Sequence, residues 1–169
     1  MRVDQEREYR EFVAARLPRL RRTAYLLCRD WHTADDVVSI TLTKLYRNWA
    51  RACAAQHLDA YVRGMLARAW LDERRRPWRR EVATPDAPDI PMDEVGHTGI
   101  VHRDMIRALL DSLPPRQRAV VVLRYYCDLS VDETAEALRV SHGTVKSQSA
   151  RGLDLLRAAA RSYALEETR

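Results

Sequence analysis

The chain has 169 residues, of which 46% are hydrophobic and 31% are charged, so it can bury an ordinary globular core. Its 29 basic and 24 acidic residues give a formal charge of +5. This charge is consistent with binding to a polyanion, and the abundance of arginine codons in a GC-rich genome explains it equally well. The three cysteines, Cys28, Cys53 and Cys127, are widely spaced without a C-x-x-C pair, which argues against a disulfide framework or a zinc knuckle and fits a reducing compartment.

The N-terminal segment is charged from its first residues and has no apolar stretch of the kind found in signal peptides. No apolar run approaches the roughly 18 residues of a membrane span, so we expect a cytoplasmic protein without membrane insertion. Apolar residues recur at spacings of three and four from Tyr9 to Leu27, which predicts a helix. Pro18 is expected to kink or divide that helix, because proline removes a backbone hydrogen bond.

Two more helices are predicted in the front half. Thr33 is expected to cap the second helix, with Asp35 and Asp36 in its first turn, where acidic groups favour the helix dipole. After a loop at residues 51–56, a third helix follows from Leu58. Its predicted inward positions are Tyr61, Met65, Leu66, Ala69 and Leu71. With no strand signal, these patterns predict a helical front domain over residues 1–78.

Helical periodicity stops over residues 79–101, where prolines, glycines and acidic residues accumulate. Such a segment cannot bury enough apolar surface to fix its backbone, so a flexible linker is predicted here. Helical patterns resume at His102 and continue to the end of the chain. The sequence therefore predicts an all-α protein with a second helical domain over residues 102–169.

The most specific local pattern lies in the rear domain. Ser130 and Glu133 form a capping-box pattern, and a short turn leads to a second helix capped by Ser141. This spacing predicts a helix-turn-helix, whose second helix enters the major groove of DNA. With Val145 and Gly152 held inward, the outward face offers side chains suited to base edges and phosphates. These are His142, Thr144, Lys146, Ser147, Gln148 and Arg151. On the pattern alone, a solvated amphipathic helix explains this face equally well.

The segment "LPPRQRAVVVLRYYCDLSVDETAEALRVSHGTVKSQSARGLDLLR" resembles the C-terminal domain of bacterial extracytoplasmic-function sigma factors. The G-T-V-K-S-Q sequence is typical of the short actinobacterial SigE-like group. In the front half, "LLCRDWHTADDVVSITLTKLYRNW" resembles that family's polymerase-binding and −10 region, and "AYVRGMLARAWLDERRR" resembles its promoter-melting helix. The resemblance implies a sigma-2-like helical bundle and a sigma-4-like helix-turn-helix domain joined by the linker.

The resemblance also implies a role for three surfaces. The helix-turn-helix face would read the −35 element. Contact with the β′ clamp helices of core RNA polymerase would involve Asp35, Asp36, Ser39, Leu42, Leu45 and Tyr46. The −10 element, captured as single-stranded DNA, would meet Trp49, Arg51, Tyr61, Arg63, Arg68, Arg74 and Arg75, although core packing is an alternative role for Trp49 and Tyr61.

The implied partners are core RNA polymerase, through its β′ clamp helices and β flap, and promoter DNA in double-stranded and single-stranded form. An anti-sigma factor is a further candidate partner, and no cofactor is expected. Two positions depart from the family pattern. Ser39 stands where the family commonly has Gln, and Arg68 stands where it commonly has Asn. One clamp contact and the reading of the −10 element are therefore expected to differ.

Catalytic and metal sites are not predicted. Cys28 and His32 are four residues apart, as on one helix face, but no third residue is placed to complete a metal site. The sequence also contains no P-loop, no glycine-rich dinucleotide-binding motif and no Ser-His-Asp set in a supporting sequence context. We therefore expect a sigma factor that is not itself an enzyme. The alternative is a helix-turn-helix transcriptional regulator with a helical N-terminal domain. A purely structural or adaptor protein would leave the arginine faces unexplained.

Overall fold

The computed structural model describes residues 2–75 and 98–167, and the regular structure in these ranges is helical throughout. The front half contains α1 Val3–Cys28, α2 Trp31–Arg47, α3 Trp49–Cys53 and α4 Leu58–Arg75. The rear half contains α5 Thr98–Asp111, α6 Pro115–Val121, a π-helical turn Val122–Tyr126, α7 Val131–Leu138 and α8 His142–Glu167. The all-α prediction is confirmed. Most of the predicted linker lies outside the described residues, and its last four residues already belong to α5.

The first helix continues through Pro18 as one element of 26 residues, so the proline does not divide it. Loss of one backbone hydrogen bond is tolerated here because the helix buries Phe12, Leu20 and Leu27 against neighbouring helices. The helix ends at Arg29, whose left-handed backbone (φ 65°) lets its N–H donate to the Tyr25 carbonyl at 2.8 Å.

The second helix begins three residues earlier than predicted. Asp30, rather than Thr33, is the cap, and its carboxylate accepts hydrogen bonds from the amides of His32 at 3.2 Å and Thr33 at 2.8 Å. Asp35 and Asp36 consequently lie outside the first turn, where the helix dipole is strongest. The predicted loop at residues 51–56 is also partly helical, because α3 extends to Cys53.

The fourth helix is buried on nearly all of its sides. It packs against α1 and α2 of the front half and against α7 of the rear half. Its fully or almost fully buried side chains include Val62, Leu66, Ala67, Ala69 and Trp70. Trp70 was not among the predicted inward positions. The rear half contributes to its surroundings, because the Arg118 guanidinium carbon lies 5.7 Å from the centroid of the Trp70 ring.

The helix-turn-helix forms as predicted. The Ser130 Oγ accepts from the Glu133 amide at 3.0 Å, and the Glu133 carboxylate accepts from the Ser130 amide at 2.7 Å, which completes the capping box. Arg139 adopts a left-handed backbone (φ 56°) at the end of α7. Val145, with no exposed surface, packs from α8 onto Val120 and its neighbours.

The two halves of the chain share a continuous hydrophobic core in this structure. One cluster of buried side chains runs from α1, α2 and α4 to Leu110, Leu113, Leu123 and Ala137 of the rear half. The predicted domains are therefore packed against one another rather than held apart. Within the described ranges, no helix combines the length and apolar character needed to cross a membrane.

Candidate nucleic-acid interface

The first turns of α8 present the predicted recognition face. Ser141 caps the helix, because its Oγ accepts from the Thr144 amide at 3.1 Å and lies 2.9 Å from the Thr144 hydroxyl. Of the six predicted residues, four are exposed, namely His142, Lys146, Ser147 and Arg151. Thr144 is half-buried and takes part in the cap. These exposed side chains place hydrogen-bonding groups and cations at the start of a helix, as binding in a DNA groove requires.

Gln148 differs from the other five residues. It is half-buried, and its Oε1 atom is inaccessible to water without a hydrogen-bond partner among the described residues. It lines a groove of about 460 Å³ together with Leu71, Arg74 and Arg75 at the end of α4. The expectation that Gln148 points freely outward is therefore wrong for this structure, because the front domain lies beside it.

A glycine sets how closely α8 approaches α6. A Cβ atom on Gly152 would lie 2.8 Å from Val121 Cγ2 and 3.5 Å from the Gln117 Cβ atom, so a larger residue would displace the helix. The inward prediction for Gly152 is confirmed by its burial. Together with buried Val145, this contact fixes the rotation of α8 and hence the direction of its polar face.

Two predicted arginines of α4 contact the rear domain. Arg63 donates to the backbone carbonyl of Cys127 at 3.0 Å, and Arg68 donates to the carbonyl of Ala137. Burial lowers the pKa of the Arg68 guanidinium, with the charge of Arg139 nearby acting in the same direction. Tyr61 on the same helix is half-buried. This part of the predicted −10 surface is already occupied by protein.

The other arginines of the predicted −10 surface are more accessible. Arg74 is exposed, with its guanidinium carbon 5.8 Å from the centroid of the Trp70 ring, and Arg75 at the end of α4 is exposed as well. Arg51 is exposed on the short helix α3. These three cations lie on the surface, where a phosphate backbone can reach them.

Trp49 belongs to the core of the front domain. It is only 4% exposed, and its ring lies 5.4 Å from the rings of both Tyr9 and Phe12, centroid to centroid. The prediction that Trp49 captures an unstacked base does not fit this burial, and the alternative of core packing does. Trp49 is the first residue of α3, which directly follows α2, and its ring contacts aromatic residues of α1.

The predicted polymerase surface lies on α2 and is only partly exposed. Ser39 and Tyr46 are exposed, Asp35, Asp36 and Leu42 are half-buried, and Leu45 has no exposed surface. Leu45 is therefore a core residue and is wrongly included among the direct polymerase contacts, because it faces the front-domain core shared with α1 and α4.

Asp35 already has a partner within the front domain. The Arg21 guanidinium donates two hydrogen bonds to its carboxylate, at 2.6 and 2.9 Å, in a bidentate pair. The same guanidinium lies 5.5 Å from the centroid of the Trp31 ring. Sequence reasoning missed Arg21 because the pair joins two helices, and only their packing brings the residues together.

Sequence reasoning also missed Arg118 in α6. Its buried side chain donates to the carbonyls of Leu27, at 3.0 Å, and Leu113, at 3.3 Å. Burial is the main cause that lowers the pKa of Arg118, and Asp111 opposes this effect. Because Leu27 belongs to α1, Arg118 joins the rear domain to the front domain. The one available signal was an arginine directly before the apolar run "AVVVL".

Within the described residues, no group of three or more His, Cys, Asp and Glu side chains could hold a metal ion. The arrangement is instead that of a polar and cationic surface on two helical domains. Its chemistry is recognition through hydrogen bonds and charge.

Comparisons with known proteins agree across both halves of the chain. The model described as Sigma-70 region 2 matches residues 12–80, and the model described as Sigma-70, region 4 matches residues 103–156. The RNA polymerase sigma-E factor of Streptomyces coelicolor is 36% identical over 154 residues, covering 89% of this chain and 84% of that protein. The ECF RNA polymerase sigma factor SigE of Mycolicibacterium smegmatis is 31% identical, covering 87% of this chain and 59% of that protein.

A solved structure has the same fold. It is the sigma factor RpoE in complex with the anti-sigma factor NepR from Bartonella quintana. The two chains superpose with a TM-score of 0.72, covering 91% of this chain and 97% of that one, at 20% sequence identity. At that identity the likeness extends to the fold alone.

Proposed function

Because this chain belongs to the extracytoplasmic-function sigma factors, in their SigE-like group, we propose that it directs core RNA polymerase to specific promoters and initiates transcription there. The observation that carries this proposal is the match of region 2 and region 4 in one chain and in that order. An ordinary helix-turn-helix regulator requires only the second of these matches.

The rear domain is proposed to read the −35 element. Support comes from the capped start of α8 and from the exposed Lys146, Ser147 and Arg151 on one side of its first turns. Cationic side chains and helix N-terminal amides bind phosphates, and side chains at the start of a recognition helix meet base edges. Gln148, once clear of the front domain, is suited to an adenine because its amide carries both a donor and an acceptor.

The front domain is proposed to hold the −10 element and its displaced strand. Exposed Arg51, Arg74 and Arg75 supply charge for the phosphates, and Tyr61 supplies an aromatic ring for stacking. Arg63 and Arg68 would join this surface when they are released from the rear domain. Trp49 is left out of the proposed surface because of its burial.

The exposed side of α2 is proposed to dock on the β′ clamp helices of the polymerase. Tyr46 and Ser39 are accessible there, and the half-buried Asp35 and Asp36 carry the acidic charge. Basic residues on the clamp would then meet a negative patch, which favours correct docking. The β flap is the proposed partner of the rear domain, and an anti-sigma factor is a further candidate partner.

RNA synthesis itself is assigned to the polymerase, so this chain acts as an initiation factor without a cofactor of its own. Its proposed place is the cytoplasm, since promoter DNA and core polymerase are there. This location is inferred from the family to which the chain belongs.

Run-off transcription with purified core polymerase tests the proposal. Templates carrying a promoter selected from a random library should give a transcript of one length only when the chain is added. Core polymerase alone provides the baseline. If the chain binds the template and no transcript appears, the helix-turn-helix regulator is the better assignment.

A further inference from the structure

The groove beside Gln148 is lined by an unusual concentration of positive charge. Its volume of about 460 Å³ is in the range of small-molecule sites. Arg74 and Arg75 reach it from the last turn of α4, and Arg116 reaches it from the first turn of α6. None of the described residues that line the groove is acidic. Three cations therefore meet in one concave site without a carboxylate in its described lining.

The three guanidinium groups are available to a ligand. All three side chains are exposed. Arg75 and Arg116 have no ion-pair or hydrogen-bond partner among the described residues. Arg74 contacts the Trp70 ring, 5.8 Å from its centroid, and donates no hydrogen bond within the same residues. A guanidinium offers five N–H donors in one plane, an arrangement that pairs well with phosphate oxygens.

A fourth cation lies close behind the groove. The Arg118 guanidinium carbon is 5.7 Å from the centroid of the same Trp70 ring that Arg74 contacts. Burial is the main cause that lowers the pKa of Arg118, and the charge of Arg74 acts in the same direction. Asp111 opposes this effect, but its carboxylate already accepts a hydrogen bond from Arg29 at 3.0 Å. An anion in the groove would offset the repulsion among these cations.

The remaining lining residues add donors and an apolar wall. The Oε1 atoms of Gln117 and Gln148 are inaccessible to water and have no partner among the described residues. The polar atom that each amide offers to the groove is therefore its nitrogen, which donates hydrogen bonds. Leu71, Pro114 and Pro115 supply apolar contact area. The site thus combines cations and neutral donors with an apolar surface.

A ligand that matches this lining is anionic, rich in acceptor oxygens and partly apolar. A diphosphate group carries several negative charges, and its oxygens pair with guanidinium groups through parallel hydrogen bonds. A nucleobase adds apolar faces and ring nitrogens that accept hydrogen bonds from amides. The volume of the groove suits one such molecule rather than a DNA duplex.

We propose that the groove binds a nucleoside diphosphate, with its phosphates among Arg74, Arg75 and Arg116 and its nucleoside against the apolar wall. The ligand would contact both domains, because Arg75 belongs to α4 and Arg116 to α6. The inference goes beyond the proposed function, since this binding requires neither promoter DNA nor polymerase.

Isothermal titration calorimetry of the full chain tests the site with four probes. ADP should bind as one molecule per chain. Pyrophosphate should bind more weakly than ADP because it lacks the nucleoside. Orthophosphate should bind about tenfold more weakly than pyrophosphate, because it engages fewer guanidinium groups. Adenosine, which has no phosphate, should show no saturable binding over the same concentrations.

Two variants locate the site. Arg75→Gln and Arg116→Gln each remove one guanidinium group without adding volume, and each should weaken ADP binding about tenfold. Arg22→Gln is the matched control, since Arg22 is exposed on α1 and does not line the groove, and it should bind ADP as wild type does. Circular dichroism should show equal helical content in all three variants, because none of these side chains has a described partner in the fold.

Several results would overturn the site. They are an absence of saturable ADP and pyrophosphate binding, or a loss of ADP affinity in Arg22→Gln as large as in the two groove variants. Equal affinities for ADP and pyrophosphate would overturn the nucleoside part of the proposal. Weaker duplex binding by Arg116→Gln, without ADP binding by wild type, would assign the groove to DNA phosphates instead. Failure of the proposed function would appear separately, as absent run-off transcription by the wild-type chain.

Discussion

The two helices assigned to DNA, α4 and α8, have opposite surroundings. The first turns of α8 are anchored by Val145 and leave a row of polar side chains in solvent, whereas α4 is covered by helices on nearly all sides. Two of the predicted DNA-binding arginines on α4 are bonded to backbone carbonyls of the other domain. The difference teaches that a cationic helix face becomes a nucleic-acid surface only when no other part of the chain satisfies its donors.

Two buried glycines also differ in whether they serve one domain or the contact between the domains. Gly152 permits close packing inside the rear domain, against Val121, and Gly64 permits close packing between the domains, against Ala137. The first contact belongs to the fold of one unit and the second to the arrangement of two. Substitutions at the two sites should therefore have different consequences, even though both introduce a methyl group at 2.8 Å from a neighbour.

The largest effect is expected for Arg118→Met. The substitution leaves the carbonyls of Leu27 and Leu113 without their charged donor in a buried environment, and it should lower the free energy of unfolding by about 2–4 kcal/mol. Urea denaturation of the full chain measures this change. Arg116→Met, next but one in the sequence and exposed beside the groove, is the matched control and should cost much less. Equal losses would show that Arg118 does not join the domains as described.

Substitutions on α8 should distinguish a residue that recognises bases from one that contacts phosphates. Gln148→Ala should cost about 1–3 kcal/mol on the preferred −35 duplex and much less on duplexes with an altered base, because the amide reads a base edge. Arg151→Ala should instead weaken binding similarly on every duplex and lower the salt slope by about one unit. Binding to a panel of single-base substitutions at two salt concentrations measures both effects. A uniform loss with Gln148→Ala would remove this residue from the reading surface.

Gly152→Ala should destabilise the rear domain by about 1–2 kcal/mol, because overpacking against Val121 outweighs the better helix propensity of alanine. Thermal unfolding followed by circular dichroism measures the loss. Gly143→Ala, where a methyl group has space, should cause no loss of stability. If Gly152→Ala is as stable as wild type, the close approach of α8 to α6 does not fix the recognition helix.

The smallest stability effect is expected for Asp35→Ala on α2. The pair with Arg21 is partly exposed to solvent, so its removal should lower the free energy of unfolding by at most about 1 kcal/mol. Affinity for core polymerase should nevertheless fall, because the clamp loses an acidic contact. A pull-down with core enzyme, alongside Asp4→Ala as an exposed acidic control, separates the two effects. Unchanged affinity would argue against α2 as the docking helix.

Local patterns predicted the helices and the helix-turn-helix well, because their determinants are near in sequence. The capping box joins residues three apart, Ser130 and Glu133, and needs no information from the rest of the chain. The cap of α2 was harder to predict, since Asp30 and Thr33 are both good caps. Trp31 stacks on Tyr25 at 4.2 Å between ring centroids, a packing contact that accompanies the earlier start.

The candidate site was predicted only in part, since exposure depends on contacts between distant residues. Arg63 and Arg68 meet partners 64 and 69 residues away, and the periodicity of α4 gives no sign of this. Trp49 and Leu45 carry residue types suited to either a core or a surface. Their roles follow from how α1 packs on α2 and α3, which the sequence pattern does not specify.

The central claim is that both domains act together in promoter opening. Permanganate reactivity of promoter thymines tests this claim most directly. The reagent oxidises unstacked thymines, so it reports where the duplex has opened. On a promoter selected with the chain and core polymerase, thymines of the −10 element should react only when both proteins are present. Substitution of the −35 bases should abolish that reaction. Equal reactivity with core polymerase alone, or closed DNA in the presence of both proteins, would contradict the account.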